Sequence, residues 1–275
     1  PPHIYLNFYH EALFAPIFTL PSKAELVNGK FRHLTKFFSV RTTVICDILG
    51  VHSYDRLQGG IAMIRNIAVV SLSRGVLGEA FAQHEVEIGL QRLAGYGVNV
   101  RFMPNARRGI DYLTAHPEAR AADLLQAFRD PGIDMILCAI GGDDTYRLLP
   151  YLFDHDELRR AVTGKVFLGF SDTTVNHMML HKVGLPTFYG QAFLPDVCEL
   201  SPAMMPYTEH YFTELLRTGT IREVTPSDVW YESRTDFSPS QIGIAPATHP
   251  DDGFRLLQGS PVFSGEILGG CIDTF

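Results

Sequence analysis

The sequence predicts an α/β protein, in which an open parallel sheet with flanking helices is followed by a second, β-rich domain. Three observations lead to this prediction. Between residues 66 and 190, short apolar runs alternate with segments whose apolar residues recur at helical spacing. The runs are apolar almost throughout, which is typical of strands buried on both faces of a parallel sheet. After residue 190 prolines recur, and the final stretches resemble strands joined by turns.

The elements follow one another along the chain in a regular order. We predict strands at residues 67–72, 98–102, 135–140 and 166–170, and helices at 79–94, at 117–128, from 145 onward and at 173–183. One further helix is predicted at 207–217, and strands at 254–259 and 264–270. Strands also suit residues 4–8 and 43–46, but nothing between them is periodic. The expected domains are therefore 66–190 (the α/β domain) and 191–275 (a linker with a partial β-rich domain), with the placement of 1–65 open.

Composition excludes several classes of protein. The 275 residues carry 23 Lys and Arg against 30 Asp and Glu, a net charge of -7, and the basic residues are scattered, which disfavours nucleic acid as a partner. No apolar run is long enough to span a membrane, and no signal peptide is recognisable, so we expect a cytoplasmic protein without a membrane partner. Cys46, Cys138, Cys198 and Cys271 lie far apart and are predicted to be buried free thiols. Because the chain begins without Met and stops just after a glycine turn, we expect a longer natural polypeptide.

Two strand ends carry the residues of greatest chemical interest. In open α/β sheets, ligands bind beyond the carboxyl ends of the strands. After the strand at 135–140 comes Gly141-Gly142-Asp143-Asp144, where the glycine pair permits a sharp turn with exposed backbone N–H groups. After the strand at 166–170 comes Ser171, directly before a helix. A serine on such a turn can act as a nucleophile, and the next N–H can stabilise an oxyanion.

Other interpretations of these residues stay open on the sequence alone. Ser171 or Asp172 could simply cap the following helix, and this is about as probable as a catalytic role. The glycine turn could be a tight connection with a capping aspartate, or a phosphate or metal site, although no Gly-Lys-Ser/Thr follows it. His177 and His181 have the i,i+4 spacing of metal ligands, but they are better explained as packed or surface residues.

Several ordered blocks together resemble the LD-carboxypeptidase family of serine peptidases, most nearly its branch of microcin C self-immunity (MccF-like) peptidases. The blocks lie at residues 140–150, 168–174, 187–190, 257–259 and 268–271. The resemblance implies that Ser171 is the nucleophile and that the N–H groups of Asp172 and Gly142 form the oxyanion hole. A block similar to the family's histidine segment stands before the nucleophile, and it implies His10 as the catalytic base. No residue is assigned as the acid of the Ser-His-Glu type triad.

The resemblance also implies a reaction. An amide bond would be hydrolysed through an acyl-enzyme without metal or organic cofactor. MccF-like substrates are of the aminoacyl-nucleotide antibiotic type, and Trp230 could supply a wall for a base or could equally be packed at a domain boundary. The alternatives are a murein LD-carboxypeptidase, or a non-catalytic relative that binds a small molecule. The expected partner is a small molecule or short peptide, and exposed apolar residues are compatible with a homodimer.

Overall fold

The computed structural model describes residues 5–7, 63–260, 262 and 264–274. Its strands are β1 (Tyr5–Asn7), β2 (Asn66–Val70), β3 (Asn99–Phe102), β4 (Met135–Cys138), β5 (Val166–Gly169), β6 (Phe188–Tyr189), β7 (Val229–Tyr231), β8 (Thr248–Pro250) and β9 (Leu268–Gly270). Its α-helices are α1 (Gln83–Gly95), α2 (Ile110–Ala115), α3 (Pro117–Arg129), α4 (Leu149–Phe153), α5 (Glu157–Ala161), α6 (Thr174–Lys182) and α7 (Pro206–Thr218). A π-helical turn occupies Phe193–Val197, and the longest 3₁₀ segment is Thr145–Leu148.

Five of these strands form the predicted open parallel sheet. Their order is β3-β2-β4-β5-β6, and every neighbouring pair is parallel. Ile67 of β2 stands opposite Val100 of β3 and Met135 of β4, so β2 lies inside the sheet. The carboxyl ends of β2, β4 and β5 therefore meet at one edge, and the loops that leave them are neighbours.

The middle of the sheet is buried on both faces, as its apolar runs predict. Every residue of β4 and β5 is buried, as are four of the five residues of β2. Successive side chains of a strand point to opposite faces, so helices or loops must cover both sides. Each large aliphatic side chain removed from water contributes roughly 1.5–3 kcal/mol, which makes this layer the main source of stability.

Local sequence explains how the long helices begin, end and pack. Pro206 opens α7, where its missing N–H is not needed, and Gly219 ends it with a φ of 69°. Gly89 of α1 faces the π-helical turn, where a Cβ atom would lie 2.3 Å from the Cys198 sulfur. The absent side chain thus lets α1 pack closely on that turn.

The structure differs from the sequence prediction in several elements. The helix predicted from residue 79 begins at Gln83, because its side chain binds the carbonyl oxygens of Leu77 and Glu79 and stabilises two 3₁₀ turns there. The segment at 145 is 3₁₀ before it becomes α4. The strand predicted at 254–259 is wrong: no described strand pairs with it, and the Leu257 side chain is exposed.

The remaining described strands form two sheets of two strands each. β7 and β8 form an antiparallel pair, and β1 pairs in parallel with β9, placing Tyr5 opposite Leu268. No helix in the described ranges is long and apolar enough to cross a membrane. Cys138 and Cys198 are buried free thiols as predicted, whereas Cys271 is only half-buried, because it follows the edge strand β9. Cys46 and His10 lie outside the described residues.

Candidate active site

Ser171 stands on a strained turn at the carboxyl end of β5. Its φ is +62°, in the left-handed region that residues with a side chain seldom occupy. This conformation costs about 1–2 kcal/mol, so the surrounding contacts must hold it in place. The chain passes directly from the strand through one 3₁₀ turn into α6. This is the geometry that lifts a nucleophilic serine above the edge of an α/β sheet.

Two side chains hold the strained turn on either side of Ser171. The Ser171 N–H donates a hydrogen bond of 2.9 Å to the Tyr189 hydroxyl oxygen. The Ser171 carbonyl oxygen accepts one of 2.6 Å from the Thr174 hydroxyl. Thr174 is itself fixed by the Cys271 N–H, 2.9 Å away. The Ser171 N–H is therefore occupied, and any oxyanion donor must come from another residue.

The glycine turn packs closely against the serine. A Cβ atom at Gly141 would lie 2.8 Å from the Ser171 hydroxyl oxygen and 3.2 Å from the Asp172 nitrogen. Asp172 stands in the first turn of its helix, where the N–H has no intrahelical acceptor. The absent side chain thus lets the backbone of Gly141 lie directly against the Ser171 hydroxyl and the Asp172 N–H. Gly142 is needed for a different reason, since a Cβ there would lie 2.2 Å from the Ser73 hydroxyl oxygen.

The Asp172 carboxylate joins the loops that follow three strands. It is 2% exposed, and one of its oxygens accepts hydrogen bonds from the Ser73 hydroxyl and, at 3.0 Å, from the Thr145 N–H. Ser73 follows β2 and Thr145 follows β4, while Asp172 itself follows β5. The N-cap positions of the 3₁₀ turn and of α6 are Phe170 and Thr173, so neither Ser171 nor Asp172 occupies the capping position that the alternative interpretation gave it.

An ion pair between Arg120 and Asp144 holds the same loops in place. The Arg120 side chain is fully buried and binds both carboxylate oxygens of Asp144, at 2.7 and 3.1 Å. It also donates to the carbonyl oxygens of Leu72 and Ser73, each at 3.2 Å. Burial alone would raise the pKa of Asp144, but the hydrogen bonds and charge of Arg120, with those of Arg147, hold it below its usual value. The acid that could have capped the glycine turn therefore anchors it through an ion pair.

The two histidines of α6 are not arranged as metal ligands. His177 is buried, with Nδ1 2.7 Å from the Thr187 hydroxyl and Nε2 3.0 Å from the Gly169 carbonyl oxygen. Burial lowers the pKa of His177 to about 4, so the ring is neutral and packs beneath the serine turn. His181 is exposed. Within the described ranges, no group of three or more His, Cys, Asp or Glu side chains could hold a metal ion.

Trp230 lies apart from this arrangement, on β7. Its ring is stacked on His249 of β8, with centroids 4.3 Å apart and planes inclined by 24°. The indole is 42% exposed, so part of it is available to a flat ligand. The predicted base, His10, lies outside the described residues, and no described histidine hydrogen-bonds to the Ser171 hydroxyl.

The structure brings together Ser171, Asp172 and the glycine pair, as the sequence predicts. Sequence reasoning missed Ser73, Tyr189, Thr174 and Arg120. Ser73 and Tyr189 both follow or end apolar runs whose carboxyl ends face the same edge, which is a signal that could have identified them. Arg120 occupies a helical position that gave no indication of burial.

Residues 67–190 match the LD-carboxypeptidase N-terminal domain. The chain is similar to an MccF-like protein from Streptococcus pneumoniae, whose crystal structure was solved in complex with AMP. The two sequences are 58% identical, and the match covers 77% of this chain and 62% of the Streptococcus protein with a TM-score of 0.76. The microcin C7 self-immunity protein MccF of Escherichia coli is 28% identical over 59% of this chain and 46% of its own length. The murein tetrapeptide carboxypeptidase of Pseudomonas aeruginosa is 33% identical over 40% of this chain and 36% of its own. The chain spans about half the length of the curated relatives it matches.

Proposed function

We propose that this chain is part of a serine peptidase that hydrolyses an amide bond through an acyl-enzyme. The proposal starts from the match of residues 67–190 to the LD-carboxypeptidase N-terminal domain. One observation carries the proposal above all: Ser171 occupies a left-handed turn and lies so close to the glycine turn that a Cβ atom at Gly141 would be 2.8 Å from its hydroxyl oxygen. A serine that served packing alone would not need such a conformation, which costs free energy.

In this mechanism the Ser171 hydroxyl attacks the substrate carbonyl carbon while a base removes its proton. His10 is our candidate for the base, on the strength of the resemblance of its block to the family's histidine segment. The protonated base then gives its proton to the leaving amine, and the C–N bond breaks. Water attacks the resulting ester with the help of the same base, which restores the serine and releases the acid.

The oxyanion of the tetrahedral intermediates would be stabilised by backbone N–H groups. Our candidates are Asp172 and Gly142. The Asp172 nitrogen and the Ser171 hydroxyl oxygen both face Gly141, at 3.2 and 2.8 Å from where a Gly141 Cβ would lie. Backbone donors fixed before the reaction begins need no reorganisation, and removing one such donor typically lowers the rate by about 10²–10³. The buried Asp172 carboxylate and the Arg120 pair would keep these donors rigid.

For the substrate we propose an aminoacyl nucleotide of the microcin type. The protein from Streptococcus pneumoniae, which is similar over most of the chain, was crystallised in complex with AMP. Trp230 presents a part-exposed indole whose one face is already stacked on His249. A nucleobase could continue this stack, since stacking of a base on an aromatic side chain contributes about 1–3 kcal/mol.

A murein peptide is the second candidate substrate. It is favoured by the match to the LD-carboxypeptidase domain and by the similarity to the murein tetrapeptide carboxypeptidase of Pseudomonas aeruginosa. Such a substrate ends in a free carboxylate, so a cation near the serine would be required.

The decisive experiment compares an aminoacyl sulfamoyl adenylate and a murein tetrapeptide as substrates of the wild type and of Ser171→Ala. We expect turnover of the nucleotide compound and its loss in the variant. Turnover of the tetrapeptide alone would select the murein activity. If neither is cleaved and a fluorophosphonate does not label Ser171, the peptidase proposal is wrong and a non-catalytic binding protein becomes the better interpretation.

A further inference from the structure

Arg74 lies next to the glycine turn, at the carboxyl end of β2. Its backbone N–H donates a hydrogen bond of 3.2 Å to the Gly141 carbonyl oxygen. Its Cβ atom is 3.0 Å from the position that a Cβ at Gly142 would occupy. The residue before it, Ser73, is held by Asp172 through its hydroxyl and by Arg120 through its carbonyl oxygen. The backbone that carries the Arg74 side chain is therefore fixed to the loop of the proposed oxyanion donors.

The Arg74 side chain is exposed and has no ion-pair or hydrogen-bond partner within the described part of the chain. Other arginines near this edge of the sheet are all engaged. Arg120 and Arg147 bind Asp144, Arg107 binds Gln83, and Arg108 lies over the Tyr112 ring. The exposed acid closest along the glycine turn, Asp143, forms no ion pair with Arg74. Among the described arginines at this edge, Arg74 is thus the one for which no described partner takes its five N–H donors.

The charges around the serine make a free cation significant. Asp143 and Asp172 lie within the two loops that surround it, Asp144 between them is already paired with Arg120 and Arg147, and the whole chain carries a net charge of -7. An anionic substrate would be repelled from this edge unless a cation offset the field. Both substrate classes proposed above carry an anion close to the amide bond, either a carboxylate or a phosphate-like group. Guanidinium binds both through paired, charge-assisted hydrogen bonds.

We propose that Arg74 is a specificity-determining residue that binds the anionic group of the substrate beside the glycine turn. This inference rests on the proposed function for the identity of the ligand, but it concerns binding and not the chemical step. It commits to the shared chemistry of a carboxylate or phosphate, and the two sources are separated by the choice of probes.

The test measures dissociation constants by calorimetry on the full chain carrying Ser171→Ala, so that no probe is cleaved. The first pair of probes is AMP and adenosine, and the second is a murein tetrapeptide with a free or an amidated terminus. Each is measured with and without Arg74→Ala. Arg65→Ala is the matched control, because Arg65 is also exposed, lacks a side-chain partner in the described ranges and precedes the opposite end of β2.

We expect Arg74→Ala to weaken the charged member of one pair about ten- to hundredfold, with less than a twofold effect on its neutral member. Arg74→Lys should recover part of the loss, and Arg65→Ala should have no effect. The pair that responds identifies the source of the anion. An equal loss for charged and neutral probes, no loss for either, or no binding of any probe by the parent protein would each overturn the inference. Failure of the peptidase proposal is detected separately, as absent fluorophosphonate labelling of a wild type that still binds the probes.

Discussion

A methyl group added at Gly141 should block the proposed reaction without unfolding the protein. In Gly141→Ala the new methyl carbon would lie 2.8 Å from the serine oxygen, against an ordinary contact of at least 3.4 Å, so atoms must move by roughly 0.6 Å. The methyl group would also cover the Asp172 N–H, 3.2 Å away. Loss of one oxyanion donor corresponds to about 3–4 kcal/mol in activation free energy, so kcat/KM should fall at least a hundredfold. The strain should lower the free energy of unfolding by about 1–3 kcal/mol.

The assay is the rate of fluorophosphonate labelling together with kcat/KM on whichever substrate the wild type cleaves, with denaturant unfolding measured in parallel. Gly95→Ala is the control, since no atom lies within 4 Å of the added carbon and the residue is the last of α1. That variant should be as reactive as the wild type and no less stable. A folded Gly141→Ala protein that is labelled at the wild-type rate would refute the reasoning that the serine and the Asp172 N–H need a residue without a side chain at position 141.

Three further outcomes follow from the site. Ser73→Ala should leave the buried Asp172 carboxylate one donor short, lowering the free energy of unfolding by about 1–3 kcal/mol and slowing labelling. Ser71→Ala, which removes a buried bond to the Ala106 carbonyl oxygen, should destabilise without slowing labelling; equal labelling rates in the two variants would contradict the role of the Asp172 bonds. The pKa of His177 is about 4 in the folded protein, against an ordinary histidine value of 6.5. Between these two pH values the unfolded state therefore binds a proton on His177 that the folded state does not. Unfolding measured at pH 7 and 4.5 should therefore show that the wild type loses stability on acidification and that His177→Gln lacks this loss. The loss should approach roughly 3 kcal/mol by about pH 4. An equal pH dependence of the free energy of unfolding in both proteins would refute this prediction. Trp230→Ala should weaken AMP binding about tenfold while Trp230→Phe retains most of it, and unchanged calorimetric affinity in both would exclude stacking.

The sheet could be predicted because the sequence indicates its strands with little ambiguity. β4 and β5 are apolar at every position and are flanked by helices of regular spacing, which leaves a covered parallel sheet as the arrangement that buries them. Residues 254–259 show the opposite case. A segment with strand-like composition forms a strand only when a neighbour pairs with it, and the sequence does not say whether that neighbour is present.

The positions of the two turns could be predicted because they depend on local sequence, whereas the contacts between distant residues could not. The serine turn and the glycine pair follow directly from strands, so their position at the sheet edge could be inferred. The partner of Asp172 is Ser73, 99 residues earlier in the chain, and that of Asp144 is Arg120, whose burial depends on how α3 packs. The roles of Ser171, Asp172, Gly142, Trp230 and His10 in catalysis or binding remain predictions.

The bonds of the Asp172 carboxylate have a consequence for anyone who wishes to re-engineer this protein. Since one oxygen atom receives hydrogen bonds from two loops while its own residue belongs to a third, no single loop can be exchanged for a relative's version in isolation. Substitutions at positions 73, 145 and 172 should therefore show large deviations from additivity in their effects on stability. The three loops should therefore be exchanged together. A change of specificity that keeps the serine in place should be sought in side chains that project from these loops.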